Sequence, residues 1–282
     1  ILGAITIRRP VTRGRSIRLP LLSALSTFGT RLRDILVKRM WLDGVSTRNL
    51  ADNLNESLGT RLSASTVSTI TNALEPVIRQ WEQRHIPSDI EYIFLDAIYL
   101  PVRRRTFTSK QALLSAMGID SEGKSHILGY QLGDRENEDN WKSFVRSLIE
   151  RGLTRETLKL AVSDEPKAII AAVADELAVN HQYCLFHKVK NVRPLVARPD
   201  WKEFLEDLHD VYWAQSLEQA QRGAGRLEGK WATRYPKAVR IALRCFENYT
   251  MYYSQPKHTW RSIRTNNRLE RHNRELRRRL NS

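Results

Sequence analysis

Two cysteines in 282 residues, Cys184 and Cys245, are too few for a disulfide scaffold or a four-cysteine zinc site, and such sparing use suits a reducing cytoplasm. No apolar run approaches the roughly eighteen residues of a membrane span. The opening stretch ILGAITIRRP lacks the apolar centre and small-residue cleavage site of a secretory signal. Walker loops, dinucleotide glycine fingerprints and serine nucleophile elbows are all missing, which sets aside the commonest nucleotide-binding and acyl-transfer enzymes. Acidic residues are in deficit: 31 Asp and Glu stand against 46 Lys and Arg, a net charge of +15. That excess points to a polyanionic partner, nucleic acid before membrane. The remainder is globular in character, with 41% apolar and 27% charged residues and length enough for one large or two ordinary domains.

The acid deficit is sharpest at the start. Residues 1–33 hold seven arginines, Arg8, Arg9, Arg13 and Arg15 among them, and no Asp or Glu. Pro10, Gly14 and Pro20 break up residues 1–29, which read as a basic arm that attracts phosphates whether or not it is ordered. Residues 30–88 then read as a helical DNA-binding region. Leu32, Ile35, Leu36 and Met40 share one helical face, stopped by Asp43-Gly44. Ser46 can cap a second helix over residues 47–58, with Leu50 and Leu54 inward. After Gly59, Ser63 or Ser65 can cap a third helix carrying Val67, Ile70, Leu74 and Val77. Short helices around a Gly turn fit a helix-turn-helix whose Ser65, Thr66 and Thr69 would meet base edges, although any small helical bundle has this texture.

Past Pro87 the texture turns to strands. Residues 90–100, IEYIFLDAIYL, are rich in β-branched and aromatic side chains, and two more apolar runs flank the turn Ser121-Glu122-Gly123-Lys124. A helix follows, with Trp141, Phe144, Val145, Leu148 and Ile149 on one face and Glu136, Glu138 and Asp139 at its acidic start. A short strand ends at Ser163-Asp164, a helix carries Ile169, Val173 and Leu177, and residues 183–186 make a fifth strand. Three antiparallel strands, helix, strand, helix and strand predict one mixed five-stranded α/β sheet, followed by a helical insertion over about residues 190–258.

Asp96 stands out because a carboxylate inside an apolar strand is costly unless hydrogen-bonded, paired or metal-bound. Asp164 ends a strand able to lie beside the first, about 4.8 Å away, close enough for two carboxylates to share metal ions; taken alone, Asp164 or Ser163 reads more simply as a helix N-cap. Glu270 lies on a helical polar stripe with Asn266, Asn273, Arg274 and Arg277, where a surface pair with Arg274 is the simpler reading. Cys184 and His187 have ligand-like spacing, but no second Cys/His pair completes a zinc site, so they are expected to orient the site rather than bind zinc.

The segments YIFLDAIYLPVR, SEGKSHILGYQLGDRENEDNWKSFVRSLIERGL, LAVSDEPKAI, YCLFHKVKNV and HTWRSIRTNNRLERHNRELRRR together resemble the mutator-type transposases of bacterial insertion sequences, from about Ser46 onward. The resemblance implies an RNase H-like core over residues 89–282, catalytic and metal-binding Asp96, Asp164 and Glu270, and two Mg²⁺ or Mn²⁺ ions per site. It implies auxiliary roles for Cys184, His187 and Asn267. DNA contacts are expected from Arg271, Arg274, Arg277 and Arg278 on the last helix. Expected partners are the element's terminal inverted repeats, target DNA and further copies of the chain, in the bacterial cytoplasm at the nucleoid and away from membranes. The family usually has Gly after its second Asp, where Glu165-Pro166 stands here. With no Met before Ile1 and an end at Ser282, a truncated copy or catalytically silent DNA-binding remnant is the alternative expectation.

Overall fold

The computed structural model describes residues 34–35, 37, 47–58, 62–103 and 108–280. The basic arm with Arg8, Arg9, Arg13 and Arg15, the residues Leu32, Leu36 and Met40, the Asp43-Gly44 stop, the Ser46 cap, the Leu50 side chain and the Gly59 turn lie outside them. The chain parts into two compact units between Arg79 and Gln80, ahead of the connection expected around Pro87.

In the first unit, helices α1 (Thr47–Leu58) and α2 (Ala64–Asn72) bury Ala51, Leu54, Leu62, Val67 and Ile70 together with Val37. Ser63 caps α2, its Oγ accepting the Thr66 N–H at 3.1 Å. The expected apolar face running on through Leu74 and Val77 is interrupted. A turn at residues 73–74 opens a separate helix, α3 (Glu75–Glu82), which buries no side chain and leaves Val77 59% exposed. Pro76 explains the break: it has no N–H to donate to the preceding turn and is tolerated where a helix restarts. Ile35, expected inward, is exposed, and Val37 takes the buried place.

The second unit is built on the expected mixed sheet, in the order β3-β2-β1-β4-β5. β1 (Ile90–Arg103), β2 (Thr108–Asp120) and β3 (Ser125–Gly133) are antiparallel, while β4 (Leu160–Ser163) and β5 (His181–Tyr183) continue parallel to β1. Alternation sorts each strand between two cores. Ile93, Leu95 and Ala161 face α4 (Glu138–Glu150) and α5 (Lys167–Ala172), meeting Trp141, Phe144, Val145 and Ile169. Tyr92, Phe94, Leu160 and Val162 face the other way, against the helical insertion and Leu269 of the terminal helix. Period two therefore puts Asp96 and Asp164, each two residues past a member of this second core, on the insertion side.

The insertion begins earlier than expected, with α6 (Leu185–Val192) directly after β5, and continues through α7 (Trp201–Tyr212), α8 (Leu217–Trp231) and α9 (Pro236–Leu243). α7 and α8 approach so closely that a Cβ on Gly223 would stand 2.7 Å from the Asp210 carbonyl oxygen. The chain then returns to the sheet as the terminal helix α10 (Asn267–Leu280). Among the described residues, no helix is long and apolar enough to cross a membrane.

Candidate active site

Register brings the site residues level with one another. Phe94 pairs with Val162, so Asp96 and Asp164 lie side by side two residues further on; Ser163 pairs with Tyr183, which sets Cys184 beside Asp164. Asp96 Oδ1 accepts the Ala97 N–H at 2.9 Å, and Oδ2 accepts Asn273 Nδ2 at 2.8 Å. Asn273 also donates to Ser115 Oγ at 2.8 Å, and that hydroxyl donates to the Asp96 carbonyl at 2.9 Å. Burial outweighs these bonds and, aided by the charges of Asp164 and Glu270, pushes the Asp96 carboxyl up to about 6.

Asp164 caps no helix, because α5 starts at Lys167 behind Pro166. Its Oδ1 is in ion-pair contact with His187 Nδ1, which lies 3.5 Å from Glu270 Oε1. Burial would lower the His187 pKa, but the contacts with Asp164 and Cys184 prevail and raise it to about 10. Glu270, only 18% exposed, turns inward rather than pairing on the surface; burial raises its pKa, against the opposing pull of His187. Cys184 is fully buried at the start of α6, and its Sγ accepts the Asn266 N–H at 3.2 Å.

That contact corrects one expectation. Asn267 is exposed, and the neighbouring Asn266 is the buried one. Asn266 donates Nδ2 to the Leu95 carbonyl at 3.0 Å, and its own carbonyl accepts the Glu270 N–H at 3.0 Å. One residue thus ties β1, Cys184 and the first turn of α10 together. Asn266, Glu270 and Asn273 recur at i, i+4 and i+7, a stripe visible in the sequence, although nothing there says what it faces.

Glu165 stands out in the sequence as a departure from the family pattern, but its partners do not. Its carboxylate pairs with Arg244 and lies 3.9 Å from Lys188 Nζ, a buried ammonium that donates to the Ile241 and Arg244 carbonyls at 2.8 Å each. Burial lowers the Lys188 pKa to about 8. Where relatives are expected to have Gly, this chain therefore anchors the insertion to the residue beside Asp164.

The expected DNA contacts differ in how free they are. Arg271, Arg274 and Arg277 are exposed, whereas Arg278, also exposed, is bound by Glu275 at 2.7 and 3.0 Å. In the first unit Ser65 and Thr69 are exposed, but Thr66 is half-buried with Oγ1 at 2.9 Å from Ser63 Oγ.

The family model for "Transposase, Mutator family" matches residues 2–282. This chain belongs to the Mutator family of transposases. Within the family it is 30% identical over 278 residues to the transposase for insertion sequence element IS905 of Lactococcus lactis, covering 98% of this chain and 70% of that one. The ISRM5 transposase of Rhizobium meliloti is 31% identical over 85% of this chain and 60% of its own. The IS406 transposase of Burkholderia multivorans is 34% identical over 87% and 64%. The chain thus spans about three-fifths to seven-tenths of these relatives' lengths. Among solved structures, the Mos1 transposase paired-end complex covers 86% of this chain and 83% of its own at 12% identity, with a TM-score of 0.23.

The donor atoms suit a cation. Asp164 Oδ1, His187 Nδ1 and Glu270 Oε1 are buried without a hydrogen bond of normal geometry, their mutual contacts being ionic only. With Cys184 they form a set whose ligand atoms all lie within 4.8 Å of one another. The charge of His187 offsets part of the cost of burying these carboxylates, and a divalent ion would offset more. Asp96 stands outside this foursome and is joined to it by charge, raised by both Asp164 and Glu270.

Proposed function

We propose that this protein is an RNase H-like DNA transposase that binds the terminal inverted repeats of its element and performs metal-dependent strand cleavage and strand transfer. What supports the reading is the gathering of Asp96, Asp164 and Glu270, from three distant segments, on one side of the sheet, close enough for the charges of Asp164 and Glu270 to raise the Asp96 pKa. These residues would hold Mg²⁺ or Mn²⁺, two ions per site. When bound, the ions make water or a DNA 3′-hydroxyl nucleophilic and offset charge on the leaving 3′-oxygen.

The protein's own part is placement. Ala97 and Asn273 fix the Asp96 carboxylate, Asn266 fixes the first turn of α10 under Glu270, and Glu165 ties the insertion to the Asp164 loop. Arg271, Arg274 and Arg277, exposed along the same helix as Glu270, hold DNA phosphates near it. Two or more copies act together on DNA, one for each element end. A silent DNA-binding remnant would keep the charge but has no use for three converging carboxylates, which favours the enzyme.

Chelator-treated protein should nick element-end DNA only after Mg²⁺ or Mn²⁺ is restored. Asp96→Asn, Asp164→Asn and Glu270→Gln should each reduce cleavage more than about 100-fold with DNA affinity little changed. Full cleavage by the Asp96→Asn protein would sink the assignment. A preference for branched DNA or RNA–DNA hybrids would instead indicate a nuclease of the same architecture.

A further inference from the structure

The second pair of ligands that the sequence lacks beside Cys184 and His187 is supplied by two carboxylates. We propose that Asp164, Cys184, His187 and Glu270 form a four-donor site for a thiophilic divalent cation, zinc foremost, which overlaps the catalytic Mg²⁺ position and inhibits by competing for it. The inhibitory half of this statement rests on the catalytic reading of Asp164 and Glu270; the binding half does not.

The geometry comes first. A tetrahedral zinc with a Zn–S bond of about 2.3 Å and Zn–N or Zn–O bonds of about 2.0–2.2 Å separates its donors by roughly 3.3–3.7 Å. His187 Nδ1 and Glu270 Oε1 are already 3.5 Å apart, and no pair in the set exceeds 4.8 Å, so closure needs only side-chain adjustment. Three elements present the donors from different sides. Asp164 directly follows β4, Cys184 and His187 open α6 three residues apart on one helical side, and Glu270 comes from α10.

Chemistry then selects the ion. Mg²⁺ takes six oxygens in octahedral geometry and has little affinity for sulfur or imidazole, whereas sulfur, nitrogen and two carboxylate oxygens are a zinc set. The sulfur is prepared as an acceptor: Cys184 is buried at a helix start, and its Sγ receives the Asn266 N–H. Backbone donation to a ligand atom is the usual way a neighbouring group orients a metal thiolate. His187 Nδ1 and Asp164 Oδ1 already meet in an ion pair, which the metal would replace while the imidazole and the Cys184 thiol release their protons, and Glu270 Oε1 has no hydrogen bond of normal geometry to break. Cys245 is exposed, lies outside the set and serves as an internal control.

Titrating the metal-free full chain with Co²⁺ should produce a thiolate-to-cobalt charge-transfer band that saturates near one equivalent and is discharged by Zn²⁺ but not by millimolar Mg²⁺. The band should vanish in Cys184→Ser, while His187→Asn should weaken Co²⁺ binding at least about 10-fold. Cys245→Ser and Asp96→Asn should both keep it. Absence of the band, or a band that follows Cys245, overturns the site, and so does unaltered Co²⁺ affinity in His187→Asn. Mg²⁺-dependent nicking by the untreated wild type reports separately on the transposase reading. With nicking present, failure of Zn²⁺ to inhibit at concentrations that discharge cobalt would overturn the competition.

Discussion

Asp96 meets two opposing demands: an apolar strand around it and a carboxylate that must stay available. Its pKa is raised by burial from an ordinary 3.8 to about 6, so its favourable contribution to the ion-free fold is present below the lower value and lost as pH rises through the upper one. Without divalent ions the wild type should therefore be less stable, from this group, at pH 7.5 than at pH 4.5. Asp96→Asn should raise stability at pH 7.5 in chelator by about 1–3 kcal/mol and change it little at low pH, as paired thermal melts would show. The new side chain can keep its carbonyl oxygen toward Asn273 Nδ2, which leaves the Asn273 bond to Ser115 in place. Added Mn²⁺ should reverse the order by stabilising the wild type alone. Asn273→Ala should cut cleavage about 10–100-fold while DNA binding persists, since only the orientation of Asp96 changes; unchanged rates would refute that role. Asp96 is legible in the sequence as a charge among apolar neighbours. Asn266 and Asn273 are not, because an Asn on a helix carries no sign of which carbonyl or carboxylate it will meet.

At the scale of elements, α10 divides its labour by depth. Asn273 is buried and Glu270 half-buried toward the sheet, while Arg271, Arg274 and Arg277 are exposed, Arg274 and Arg277 on the same helical stripe as Glu270. Replacing Arg271, Arg274 and Arg277 by Ala should weaken binding to specific and random DNA alike and flatten the slope of log K against log salt, by roughly 0.9 for each phosphate no longer neutralised. Arg278→Ala should do less, because Glu275 already engages that guanidinium. A change in sequence preference instead of salt slope would contradict the division. Strand alternation and the long amphipathic stretch of α4 are readable from side-chain period alone. The break between α2 and α3 escapes such a reading, because the apolar spacing of Leu74 and Val77 continues across it. Pro76 is the available signal, and backbone hydrogen bonding prevails over hydrophobic period.

For the whole molecule, the proposed function assigns DNA affinity to the charge of +15 and the choice of sequence to a few hydroxyls. Substituting Arg8, Arg9, Arg13 and Arg15 in the full chain should lower affinity for element-end and random DNA about equally, most strongly at low salt. Ser65→Ala with Thr69→Ala should erode the preference between the two DNAs by about 1–3 kcal/mol for each hydrogen bond removed from a base edge, as competition binding at fixed salt would measure. Thr66→Ala is the poorer test, since Thr66 is half-buried, whereas Ser65 and Thr69 are exposed although their hydroxyls bond Ser63 Oγ and the Ser65 carbonyl. Equal preference before and after the Ser65 and Thr69 substitutions would place recognition elsewhere in the chain. The sequence by itself determined the basic character, the strand and helix order, the mixed sheet and the family, because these follow from composition, period and motif order along one dimension. Tertiary structure alone decided that Asp164 caps nothing and faces His187, and that Asn266 rather than Asn267 is buried. It also decided that Cys184 and His187 lie beside the carboxylates of Asp164 and Glu270. Those outcomes depend on strand register and on where the returning helix docks, and no local pattern encodes either.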